Sequence, residues 1–117
     1  MEPSTNHISE QDRYLEGQSV LYVGGRPNQI SHLQKTAGSF GVRFVHHDGG
    51  KEDKISRLDS ILPSVDCVFC PIDCISHDAC IRVKIGCKKF GKTFVPLRNS
   101  SNTSLRHALI NYHSETN

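Results

Sequence analysis

With 117 residues the chain holds one domain and one core. Its formal net charge is +2, with the basic residues scattered, which is too mild to argue for nucleic acid as a partner. No apolar run approaches the ~20 residues of a membrane span, and residues 1–18 lack the apolar stretch of a signal peptide, so the expected location is the cytoplasm.

Residues 1–18 are rich in Ser, Asn, Gln and acidic side chains with little to bury, and they read as a flexible N-terminal arm. The folded domain is expected over residues 19–113, with a C-terminal tail at 114–117. The first apolar run, Val20 to Val23, shows no polar alternation, as a strand buried on both faces would. Gln29 to Phe40 follows, with Ile30, Leu33, Ala37 and Phe40 on one helical face and Gly41 as its stop. The second strand is expected at Val42 to Val45. Lys51 to Leu62 is helix-compatible, carrying Ile55, Leu58, Ile61 and Leu62 and ending before Pro63. The third strand is expected at Val65 to Cys70, and Ile75 to Phe90 then places Ala79, Val83 and Cys87 at four-residue intervals ahead of Gly91. Thr93 to Leu97 is the last strand, and Ser101 to Tyr112 the last helix.

Strands and helices alternate four times, which implies parallel strands joined by right-handed crossovers. The expected fold is a single three-layer α/β domain, Rossmann-like or flavodoxin-like. It has a four-stranded parallel sheet in the order 2-1-3-4 and helices on both faces. No internal repeat or low-complexity tract interrupts it.

In such a sheet the loops after the strands emerge on one edge, where open α/β sheets bind ligands. Those loops are polar here: Gly24-Gly25-Arg26, His46-His47-Asp48, Asp73 to Asp78, and Arg98-Asn99-Ser100. Loops on the opposite edge, around Gly41, Pro63 and Gly91, are short and plain. Gly24 and Gly25 suit either a tight turn needing positive φ or an anion-binding nest with Arg26 as its charged partner. The loop lacks the spacing of a dinucleotide fingerprint and has no Walker lysine. Asp48, Asp73, Ser76, Lys84 and Arg98 complete the candidate anion or ligand set, with Asp73 or Ser76 as a helix cap.

All five cysteines lie between Cys67 and Cys87. An odd, clustered set without a signal peptide suits reduced thiols rather than a secreted disulfide framework. Cys67 and Cys87 fall on apolar faces and read as core. Cys70, Cys74 and His77, with His46 and His47 from the second loop, form a candidate metal set for zinc or iron, with haem as one form of the iron. Cys74 near a helix start is also a candidate thiolate. Three readings stay open. The first is a sensor holding a transition metal through these Cys and His side chains. The second is a module binding a nucleotide or phosphometabolite, with structural cysteines. The third is a small enzyme using His77 or Cys74. A homodimer paired through an edge strand such as Thr93 to Leu97 is a further option.

One resemblance bears on this. The combination of Val23-Gly24-Gly25-Arg26, His46-His47-Asp48-Gly49-Gly50, Cys70-Pro71-Ile72-Asp73-Cys74-Ile75-Ser76-His77-Asp78 with Val83-Lys84, and Lys92-Thr93-Phe94-Val95-Pro96-Leu97 resembles the bacterial domain of unknown function 2325 family, over roughly Ser19 to Tyr112. The resemblance implies a compact Rossmann-like fold with these strand-end loops as its signature stretches. It implies no particular reaction or ligand.

Overall fold

A strand without polar alternation has to be covered on both faces, and β1 (Ser19–Val23) is covered in that way. The computed structural model describes residues 17–50, 54–73 and 75–116, with side chains as far as Tyr112. β2 (Arg43–His47), β3 (Cys67–Pro71) and β4 (Thr93–Leu97) join β1 in one sheet ordered β2-β1-β3-β4. Every pairing is parallel. Helix α1 (Ile30–Ser39) opens with a 3₁₀ turn at Pro27–Gln29. Helix α2 (Arg57–Ile61) runs into a second 3₁₀ turn at Leu62–Ser64. Helices α3 (His77–Phe90) and α4 (Asn102–Thr116) follow β3 and β4. The expected architecture and strand order are both present.

Alternation along each strand divides the core in two. Val20, Tyr22, Cys67, Phe69 and Leu97 pack with Leu33, Ala37 and Phe40 of α1 and with Leu105 and Leu109 of α4. Leu21, Val23 and Val68 pack on the other face with Leu58 and Leu62 and with Val83 and Cys87 of α3. Leu21, Tyr22, Val23, Val68 and Phe69 have no exposed surface. Each such side chain stabilises the fold by roughly 1.5–3 kcal/mol relative to exposure.

The boundaries differ from the expected ones in instructive ways. β2 starts one residue later and runs two residues further, so His46 and His47 are strand residues paired with Tyr22 and Val23. α2 is short because Pro63 diverts the chain into the 3₁₀ turn; residues 51–53, expected in this helix, lie outside the described residues. α4 continues through Thr116, where a tail from residue 114 was expected. Of the expected arm, residues 1–16 lie outside the described residues. Gly17 and Gln18 are tied in: Gly17 N–H donates to Gly41 O at 3.1 Å, and Gln18 O accepts from Arg43 N–H at 2.8 Å.

Candidate functional site

Adjacent strands β1 and β3 send their helices to opposite faces: α1 packs in the first core and α3 in the second. Their carboxyl ends therefore flank the switch point, the position at which open α/β sheets form a ligand crevice. On the β1 side stand Gly24 and Gly25, at φ 96° and 89°. A side chain at Gly25 would also run into the Tyr22 ring, with its Cβ 2.9 Å from Cε1. Glycine is required there both by backbone conformation and by space. Arg26 follows, exposed.

The β2 loop is laced to this turn. Gly24 N–H donates to His47 O at 2.8 Å, and the His46 ring donates from Nε2 to Gly24 O at 2.9 Å. Gly49 packs so close to Gly24 that a Cβ there would lie 3.6 Å from Gly24 Cα and 3.5 Å from Ile75 Cγ1. The loops after β1, β2 and β3 thus meet around Gly24, Gly49 and Ile75.

Consecutive strand residues face opposite sides, and the two histidines obey that rule. His46 shares the α1/α4 side with Phe44, half-buried, its ring centroid 6.4 Å from that of Tyr22. His47 turns to the α2/α3 side with 0% exposure. Its Nδ1 accepts from Gly49 N–H at 3.1 Å, so Nε2 carries the proton and donates to Lys54 O at 2.9 Å. Both His47 nitrogens are occupied. Asp48 Oδ1 accepts from Gly50 N–H at 3.0 Å, closing its own turn.

On the β3 side, Cys70 and Pro71 end the strand in register with Pro96 and Leu97. Cys70 is fully buried, and burial above all pushes its thiol up to about 12; the charge and hydrogen bond of Cys80 add to this. Burial thus favours its protonated form. Cys74 lies outside the described residues. Asp73 is exposed, and Ser76 is the cap of α3, its Oγ accepting from Ala79 N–H at 3.1 Å. His77, the first residue of α3, is exposed.

Lys84 Nζ lies 5.7 Å from the centre of the Phe94 ring of β4, and its charge also reaches Cys70. Arg98 leaves β4 at the carboxyl edge, exposed. Among the described residues no three His, Cys, Asp or Glu side chains gather as a metal-binding group.

The β4 loop is anchored to α1. Ser100 Oγ donates to Gln29 Oε1 at 3.0 Å, and Thr36 Oγ1 donates to Asn102 Oδ1 at 2.5 Å. Outside it runs a groove of about 670 Å³ between β4 and α4, lined by Arg98, Asn99, His107 and Asn111 among others. Of the expected site residues that the structure describes, only Arg98 borders it. The groove exists because β4 is an edge strand and α4 lies along one face of it. The only sequence trace of that is the polar spacing of Thr103, His107 and Asn111.

Among the described residues no helix is long and apolar enough to cross a membrane. A model of the family described as "Uncharacterized protein conserved in bacteria (DUF2325)" matches residues 19–112, nearly the whole described domain. No curated protein and no solved structure matches the chain.

Proposed function

Because the chain belongs to this family of uncharacterized bacterial proteins, its chemistry has to be read from its own residues, and we propose that it binds a small phosphate-bearing anion in the crevice between β1 and β3. The observation that carries this reading is the switch point itself. The Gly24–Gly25 turn, both glycines at positive φ, brings its backbone to the sheet edge where α1 and α3 diverge. Backbone amides near a helix start, together with a guanidinium, are the elements that recognise a phosphate. Arg26 and Arg98, exposed on the same edge, supply the positive charge.

The state of the other donors favours this reading over a transition metal or haem held by His46, His47, Cys70, Cys74 and His77. The two histidines point to opposite faces, His47 is fully hydrogen-bonded, and Cys70 has no exposed surface. Protein purified without a His-tag is therefore expected to carry no stoichiometric zinc or iron by elemental analysis, and to show no haem absorption band.

The direct test is thermal shift with inorganic phosphate and a panel of nucleotides and phosphosugars. A ligand at a hundred times its Kd stabilises the fold by about 2.7 kcal/mol. Arg26→Ala is expected to weaken the response about tenfold or more, each shift being read against the variant's own unliganded melting temperature. If no anion shifts the parent protein, the reading fails.

A further inference from the structure

The cysteines are the part of the sequence for which anion binding provides no task. Val68 packs on the α2/α3 side, so Cys70, two residues further along β3, faces α3. On α3 the buried positions Ala79, Val83, Gly86 and Cys87 mark the surface turned to the sheet. Cys80 sits beside Ala79 in the first turn, half-buried and reachable from solvent. Cys80 lies close enough there for its charge and side chain to act on the Cys70 thiol. Between them in sequence runs the whole β3 side of the crevice, including Asp73, Ser76 and His77.

We propose that Cys70 and Cys80 form a paired redox site, in which an oxidant of the peroxide class joins them in an intramolecular disulfide that ties the first turn of α3 to the end of β3. Cys80, the accessible partner, attacks first through its thiolate. An S–O bond forms, the peroxide O–O bond breaks, and the departing oxygen leaves as water, carrying the proton that Cys80 gave up. The Cys70 sulfur then attacks the resulting sulfenic sulfur. The S–S bond forms as the S–O bond breaks, and the Cys70 proton departs with the hydroxide as a second water. Two thiols lose two electrons and two hydrogens, and the peroxide takes up both.

Cys70, with no exposed surface, is the second to react, because the oxidant reaches Cys80 first. Cys67 is not a competing partner: it faces the other core and is hydrogen-bonded to Tyr112. The disulfide itself needs no ligand; only its effect on the crevice rests on the anion-binding reading.

The experiment treats the full chain with stoichiometric hydrogen peroxide and analyses it without reduction. The thiol titre in denaturant is expected to fall from five to three, with a monomer mass lower by two hydrogen atoms and full recovery on adding dithiothreitol. Cleavage before Asp73 and Asp78 and after Arg82 separates Cys70, Cys74, Cys80 and Cys87 onto four peptides. Fragmentation should then place the bridge between Cys70 and Cys80. Cys80→Ser should lose the bridge, and Cys70→Ser should leave Cys80 as a sulfenic acid trapped by dimedone. A bridge to Cys74, a link between two molecules, or no loss of thiols in the parent protein would overturn the proposal. The parent map decides it even if the Cys70 variant does not fold. Phosphate binding measured on the reduced protein is a separate readout, so failure of one idea leaves the other standing.

Discussion

His47 spends both ring nitrogens on backbone partners inside the second core, a wiring that fixes one tautomer and holds the β2 loop to Lys54. His47→Ala would remove the side-chain partners of Gly49 N–H and Lys54 O, and would open a cavity besides. The expected loss is about 2–4 kcal/mol in urea unfolding, with phosphate affinity per folded molecule unchanged; a large loss of affinity at full stability would mean that the ring reaches ligand. Gly25→Ala tests the other side of the same turn. Its Cβ would press on Tyr22, a fully buried ring that cannot yield, and positive φ adds strain. A cost of about 1–3 kcal/mol is expected.

At the scale of elements, α3 carries the clearest wiring. Ser76 caps it, Gly91 stops it, and Gly86 lets it settle on Leu62 of the 3₁₀ turn, close enough that an added Cβ would collide with a buried leucine methyl. Ser76→Ala should cost about 1 kcal/mol, and Gly86→Val about 1–3 kcal/mol through overpacking, both read as shifts of the urea midpoint. The cap and the stop of this helix were legible in the sequence because each depends on one residue type at one position. β1 and β4 were legible because apolar, β-branched runs bounded by Gly or polar residues have few other uses. The histidine pair was not. Two polar residues at a strand end look like a loop until register pairs them with Tyr22 and Val23, and only then does alternation send their rings to opposite faces. The β4–α4 groove was hidden for a similar reason, since it belongs to no single segment.

Over the whole molecule, the burial that makes the core also sets its response to base. Burial pushes the thiols of Cys67 and Cys70 up to about 12 and that of Cys87 up to about 11. Each is protonated in the folded state while an unfolded chain would already ionise near its ordinary value. The sign follows: this stability is fully present below the unfolded thiol pKa and is lost as pH rises toward the folded one, at roughly 1.4 kcal/mol per thiol per pH unit. Urea midpoints are expected to show no contribution from these groups between pH 6 and 8 and to fall steeply above about 9. Cys87→Ala should flatten part of that fall. The central pairing of the sheet has a consequence in time as well. Val20 meets Cys67 and Leu21 meets Val68, partners 47 positions apart, and no two neighbouring strands are joined by a hairpin. Nothing local can start the sheet, so the chain has to close a long loop before β1 and β3 reward it. Refolding from urea is therefore expected on the scale of milliseconds to seconds rather than microseconds, with the helices free to flicker while the middle of the sheet waits for its two halves to meet.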